Sequence, residues 1–270
     1  MQANNDENTL DLMLLREACA QAADLAMSYF GENPKVWIKP GNSPVSEADF
    51  AVDALLKKIL LVARPDYGWI SEETEDDRPQ KNYRRSFIVD PIDGTRGFLE
   101  KSPYWCISVA IIENQKPEVG ILHCPVKNVV YDAVKNNGAT KNQDALSLLG
   151  STEHTRDTTT IISATKSMAK KLAPFIQKST QFYYNIPSLA YRIALAAEGA
   201  INIVLVRPNC HDWDIAAADL ILQESGGALV TLEQKYPTYG NSPFTHDFLI
   251  ACENSRLKNV IDIVQTSKLV

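Results

Sequence analysis

Apolar residues recur at helical spacing near the start of the chain, where Leu10, Leu14, Ala18, Ala22, Leu25 and Tyr29 form one stripe and Gly31 follows. That spacing predicts an amphipathic helix over residues 9–30, ended by a glycine able to take a left-handed conformation. The turn-rich stretch Lys39-Pro40-Gly41-Asn42-Ser43-Pro44 breaks the pattern, and a second helix is predicted over 47–62. Ser46 and Asp49 fit a capping box at its start, with Asp standing where Glu is the usual partner. Short runs of strand character then follow at 67–70, 86–89, 105–112, 118–123 and 129–133, with turns at 115–117 and 127–128 between the last three.

Beyond a polar stretch at 150–157 the rhythm changes. Strand patterns at 160–164, 181–184 and 201–206 alternate with helical ones, including 188–198. A helix over 213–224 closes on Gly226-Gly227, which suits a C-terminal cap. A further strand, a turn at 239–243, a strand at 248–252 and a last helix complete the chain. Strands grouped first and alternating with helices later predict two packed sub-domains, α+β over residues 1–150 and α/β over 151–270. The chain contains no internal repeat and no low-complexity tract.

Composition narrows the class. The 270 residues carry 27 basic and 33 acidic side chains, a net charge of −6, with 45% apolar and 22% charged residues. A chain of this length buries about three quarters of its unfolded surface, so neither disulfides nor a structural metal are needed to hold a core. The acidic balance argues against a nucleic-acid polymer as partner. The apolar runs are strand-length, which argues against stable membrane insertion. The N-terminal residues lack the basic and apolar regions of an export signal, and the five cysteines are scattered with no CxxC pair. A cytoplasmic location with reduced thiols is the expectation.

The chemistry concentrates in Phe87-Ile88-Val89-Asp90-Pro91-Ile92-Asp93-Gly94-Thr95. A short apolar strand delivers Asp90, Pro91 bars a helix there, and Asp93 follows three residues on. Two carboxylates in one turn repel each other unless a cation lies between them. All-oxygen ligands suit Mg²⁺ or Mn²⁺ rather than zinc. Gly94 permits close backbone approach, and a helix starting near Thr95 would aim N–H groups at an anion. These residues alone also fit a plain turn with a helix cap.

The wider sequence resembles the inositol monophosphatase family of Mg²⁺-dependent phosphatases. Asp90-Pro91-Ile92-Asp93-Gly94-Thr95 matches one signature, and Trp213-Asp214-Ile215-Ala216-Ala217-Ala218 with Glu224-Ser225-Gly226-Gly227 matches a second. Asn42-Ser43-Pro44-Val45-Ser46-Glu47-Ala48-Asp49 and Ser71-Glu72-Glu73 stand in the family's order. The resemblance implies a layered α-β-α-β-α sandwich of two packed sub-domains. It implies that Glu72, Asp90, the Ile92 carbonyl, Asp93 and Asp214 bind two or three Mg²⁺ ions, with Mn²⁺ a substitute. Asp49, Glu72 and Thr95 take the catalytic roles, Thr95 positioning the attacking water. The amides of Gly94 and Thr95 receive the phosphate of a small phosphorylated substrate, and metal-activated water attacks in line with the leaving group. Lithium inhibition and a homodimer are further implications of the family. His211 and Asp212 read as polar loop residues, while His123, His154 and His246 receive no role.

Substrate choice rests on the segment before Asp214. At Arg207, inositol monophosphatases place a glutamate that accepts inositol hydroxyls. A guanidinium cannot accept them and instead offers a donor fork suited to a phosphate. The expectation is therefore a substrate with a second anionic group, as in the 3′(2′),5′-bisphosphate nucleotidase branch, with Ser188 and Arg192 adding phosphate contacts. An inositol or histidinol phosphatase is the alternative within the family. An inactive metal-binding regulatory protein is the alternative from another class.

Overall fold

The computed structural model describes residues 2–41, 43–74, 83–148 and 159–269, with side chains described from Asp6 onward. Asn42, His154 and the expected boundary at residue 150 lie outside the described residues. The chain opens with α1 (Gln2–Tyr29), which begins seven residues before the predicted helix start at residue 9. A hairpin of β1 (Val36–Lys39) and β2 (Ser43–Ser46) replaces the expected turn-rich loop. All of β1 is at least partly exposed, so it carries no alternation of buried and open positions from which a strand could be read. Helix α2 (Glu47–Ala63) follows directly, with Ser46 as its N-cap.

A seven-stranded sheet comes next. Its strands are β3 (Gly68–Ser71), β4 (Arg85–Asp93), β5 (Cys106–Glu113), β6 (Lys116–Cys124), β7 (Val129–Val134), β8 (Ala139–Lys141) and β9 (Asp144–Leu146), in that spatial order. The one parallel pair is β3 with β4; the other neighbours are antiparallel. Short helix α3 (Thr95–Leu99) leaves the end of β4. The β5–β6 turn sits at Asn114 and Gln115, both with positive φ (51° and 63°), the primed-turn geometry that matches strand twist. Lys116 and Pro117, expected in that turn, belong to β6.

The second sheet has five strands. Strands β10 (Ile161–Ser163), β11 (Gln181–Tyr183) and β12 (Ile203–Val206) are parallel. Strands β14 (Gly227–Val230) and β16 (Leu249–Glu253) complete it antiparallel, in the order β11-β10-β12-β16-β14. Two residues each of β13 (Cys210–His211) and β15 (Thr245–His246) pair separately. Helices α4 (Lys166–Leu172), α5 (Leu189–Ala197), α6 (Asp212–Ser225) and α7 (Leu257–Thr266) complete the set.

These elements stack as five layers. Helices α1 and α2 cover one face of the large sheet, with Leu15, Leu56, Leu60, Phe87, Trp105 and Ile121 between them. Helices α5 and α6 fill the middle, touching the large sheet on one side and the five-stranded sheet on the other. Helices α4 and α7 close the outer face through Met168, Leu172, Val260, Ile261 and Val264. The α-β-α-β-α order is the one the resemblance implies. Both inner helices are buried nearly all round, as helices between two sheets must be, and α6 buries Asp212 and Asp219 as well as its apolar residues. No helix among the described residues is long and apolar enough to cross a membrane.

Candidate active site

The site begins with a defect in β4. Asp90 pairs with Ser108 and Asp93 with Cys106, so β4 carries one extra residue across this interval. Pro91 has no N–H to give the ladder, and a bulge is where a strand tolerates that loss. The bulge turns Asp90, Ile92 and Asp93 toward the sheet's end, and the Ile92 amide donates to Asp90 Oδ1 at 3.0 Å. Gly94 follows with φ 96°, and a Cβ there would stand 3.0 Å from the Ser188 amide nitrogen. Both the left-handed backbone and the close approach require glycine.

Parallel pairing brings Glu72 alongside. Ser71 is in register with Val89, and the Glu72 amide donates to the Val89 carbonyl at 3.2 Å, so the carboxylates that follow β3 and end β4 emerge together. Lys39, from the β1–β2 hairpin, reaches Glu72 at 3.1 Å and Glu73 at 2.6 Å. Glu73 is the more enclosed, and burial pushes its carboxyl up to about 7 despite Lys39. Asp53 accepts from the hydroxyls of Ser71 and Thr74 and so braces the same strand end.

Three further acids are each fixed by a helix N-terminus. Asp49, at the third position of α2, accepts from the Ser46 amide at 2.7 Å. Asp214, at the third position of α6, accepts from the His211 amide at 2.7 Å. Helix α6 starts at Asp212, one residue before the expected start, and Asp214 reaches back over its first turn. Asp93 lies at the start of α5, accepting from the Ala190 amide at 2.7 Å, the Leu189 amide at 3.3 Å and the Ser188 hydroxyl. The positive ends of three helix dipoles therefore face the acid cluster.

One carboxylate oxygen from each of Asp90, Asp93 and Asp214 lies within 4.8 Å of the other two. Burial first, and then Glu72, Asp93 and Asp214, hold Asp90 well above the usual carboxylate range. Burial and Asp214 push Asp93 up to about 7, against its hydrogen bonds from Ser188, Ala190 and Leu189. Burial also raises Glu72; Lys39 opposes the shift, while Asp214 and Asp49 add to it. Hard oxygen donors crowded this closely fit Mg²⁺ or Mn²⁺, which would reverse their mutual repulsion.

Thr95 links this cluster to Asp49. Its hydroxyl lies 2.9 Å from Asp49 Oδ1 and 3.2 Å from the Ile92 carbonyl; with one proton to give, the shorter contact takes it. Asp49 is wholly enclosed; burial raises its carboxyl while Ser46 and Thr95 oppose the shift by hydrogen bonding.

Glu72, Asp90, Ile92, Asp93, Gly94, Thr95, Arg207 and Asp214 all line one cleft of about 360 Å³. Asp49 lies behind Thr95. Arg207 is exposed at the rim, and no carboxylate among the described residues pairs with it. Ser188 is elsewhere than expected. It is fully buried, accepts from the Tyr191 amide at 3.0 Å as the cap of α5, and donates to Asp93. Its hydroxyl is thus committed inside the protein. Arg192, one turn along α5, is half-buried outside the cleft lining, its Nε 3.3 Å from the Ser188 carbonyl. Burial holds its guanidinium below the usual range; Asp93 opposes, and nearby Arg207 adds to the depression.

Four participants were given no functional role from the sequence. Lys39 and Asp53 serve the Glu72 corner. Asp212, read as a polar loop residue, is buried at the first position of α6, and His246, left without a role, pairs with it at 2.7 Å. His211 is the N-cap of α6 and stacks on Trp213 at 4.7 Å. The spacing of the Ser46–Asp49 box repeats at His211–Asp214, but histidine is not a usual capping residue and so hides it.

Comparison with known proteins agrees with this fold. The 3′(2′),5′-bisphosphate nucleotidase CysQ of Aggregatibacter actinomycetemcomitans is 26% identical over 232 residues, covering 83% of this chain and 85% of that protein. The histidinol-phosphatase of Mycobacterium tuberculosis is 28% identical over 245 residues, covering 86% and 91%. Among solved structures, a Thermotoga maritima IMPase superposes with a TM-score of 0.80 over 97% of this chain and 99% of its own, at 22% identity. CysQ from Bacteroides thetaiotaomicron gives 0.75 over 90% and 97%, also at 22% identity. The inositol monophosphatase family model matches residues 10–268, and the chain belongs to that family.

Proposed function

We propose that this protein is a Mg²⁺-dependent phosphomonoesterase of the 3′(2′),5′-bisphosphate nucleotidase type, removing the 3′-phosphate of 3′-phosphoadenosine 5′-phosphate. The observation that carries the reading is Arg207, exposed and without a carboxylate partner among the described residues, at the rim of the cleft into which Asp90, Asp93 and Asp214 converge. Asp90, Asp93, Asp214, Glu72 and the Ile92 carbonyl would hold the cations. When bound, Mg²⁺ lowers the pKa of a coordinated water and offsets charge on the reacting phosphate. Asp49 takes the Thr95 proton in a hydrogen bond, which leaves the Thr95 oxygen lone pairs for a water in the cleft. Thr95 thereby orients the nucleophile, and Asp49 holds Thr95. Gly94, with no side chain, lets a phosphate approach the backbone at the start of α3. Arg207 offers its fork to the second, unreactive phosphate.

Histidinol phosphate is the second reading, supported by the Mycobacterium tuberculosis relative; inositol monophosphate is the third. Neither carries a second phosphate for Arg207. The test is phosphate release from adenosine 3′,5′-bisphosphate, histidinol phosphate and inositol 1-phosphate, each with Mg²⁺ and with chelator. Preference for the bisphosphate is the expected result. Equal or better turnover of either monophosphate overturns the assignment, and release from none of the three favours a metal-binding protein without this activity.

A further inference from the structure

The segment from Arg207 to Asp214 joins β12 to α6 and carries a cleft residue at each end. Its first three residues are exposed, and Asn209 has φ 70°. What holds it is a strap, residues 239–246, laid across it. At one end of the segment, the Asn209 amide donates to the His246 carbonyl at 2.8 Å. At the other, His246 Nε2 meets Asp212 Oδ1 at 2.7 Å. Between these points Cys210 pairs with His246 and His211 with Thr245 as β13 and β15. A single residue thus grips the segment twice, two positions after Arg207 and two before Asp214.

Asp212 explains why the grip is specific. It is buried at the first position of α6, and a carboxylate there is tolerated only when its oxygens are satisfied. Oδ1 meets His246, Oδ2 accepts from the Gly240 amide at 2.6 Å, and the Asp212 amide donates to the Phe244 carbonyl at 2.8 Å. The strap is itself anchored to the large sheet. The Tyr239 amide donates to the Gln115 carbonyl at 3.0 Å, and the Asn241 amide group to the Gln115 side chain at 2.7 Å.

We infer that His246 is a positioning residue for the cleft: through Asp212 and Asn209 it sets where Asp214 and Arg207 stand relative to Asp90 and Asp93. The inference rests on the reading of these acids as a cation site. It predicts that the β5–β6 turn, on the other sheet, helps fix the geometry of the cleft.

The test uses the full chain and its His246→Ala, His246→Gln and Asp212→Asn variants. Mn²⁺ affinity is measured by the resonance of the free ion, and amide exchange is followed across residues 207–214. His246→Ala should weaken Mn²⁺ about 10- to 100-fold, the usual effect of losing an outer partner of a ligand. It should also speed exchange at Asp212, and less at Asn209, whose amide bonds a backbone carbonyl that the variant keeps. His246→Gln, which restores a side-chain N–H donor, should recover most of both, whereas Asp212→Asn, which keeps size and one acceptor, should resemble the alanine variant. Unchanged exchange in His246→Ala overturns the inference, as does an equal loss in the alanine and glutamine variants. A wild-type chain that binds no Mn²⁺ overturns the cation-site reading instead, and exchange still decides whether His246 holds the segment.

Discussion

Ser188 offers the sharpest test of how the acid cluster is held, because its hydroxyl does two separable things. It caps α5 by accepting from the Tyr191 amide, and it donates to Asp93. Ser188→Ala removes both. A lost serine cap costs about 1 kcal/mol, and a buried hydrogen bond to a charged partner about 1.5–3 kcal/mol. Ser188→Gly keeps most of the cap's worth, since glycine at this position costs only a few tenths. The bond to Asp93 matters in full only when Asp93 is ionised, and that carboxyl titrates near 7 in the metal-free protein. Above that pH the alanine variant should lose roughly 2–4 kcal/mol and the glycine variant about 2 kcal/mol. Well below it, both losses shrink toward the cap alone. The assay is urea unfolding of metal-free wild type and both variants at pH 5.5 and 8.5, with the linear slopes compared to confirm a common transition. A loss that does not grow with pH would refute the assignment of Ser188 as a donor to ionised Asp93.

Three further outcomes follow from the same cluster. Asp90→Asn keeps the acceptor for the Ile92 amide but removes a charge from a crowded group of acids. Metal-free stability at pH 8 should rise while Mg²⁺-dependent phosphate release falls at least about 100-fold; near-normal turnover at saturating Mg²⁺ would exclude Asp90 as a ligand. Arg207→Glu should raise KM for adenosine 3′,5′-bisphosphate more than for a monophosphate, measured side by side, and equal changes would remove the basis for the second-phosphate contact. Asp90, Asp93 and Glu72 all sit above their ordinary range, so between about pH 4 and 7 the folded state binds more protons than the unfolded one. The Tm of the metal-free protein should therefore fall as pH rises through that window. Saturating Mg²⁺ should largely abolish the fall at pH 7 and above.

Most helices and strands, and the Asp90–Asp93 pair, were legible because each is a local pattern, whereas the layer order came with the family resemblance. Helical stripes and strand runs are periodic over ten residues or so, and the Asp90–Thr95 segment announces itself in six. What was hidden is what the fold brings together over long separations. Asp93 and Ser188 stand 95 residues apart, and nothing in the spacing of a serine before an apolar helix says that its hydroxyl points inward to an acid. Lys39 was hidden for a different reason. Its strand is only four residues long, and the apolar run Val36-Trp37-Ile38 ends directly in the turn-rich stretch, which conceals the hairpin. Asp212 and His246 looked like surface polar residues because a lone charge gives no sign of burial until its partner, on a separate strap, is known.

The middle layer gives the site an order of assembly. Asp90 and Asp93 come early in the chain, but Asp93 obtains most of its hydrogen bonds from the start of α5, and Asp214 arrives only with α6. Both helices are wedged between the two sheets. A growing chain that has made only the large sheet therefore displays Glu72, Asp90 and Asp93 without Asp214, a repelling and incomplete ligand set. On the cation-site reading, a complete ligand set for a divalent cation would exist only once α6 has docked. A bound ion would then tie α6 to the large sheet, and affinity for it would report how well that helix is seated.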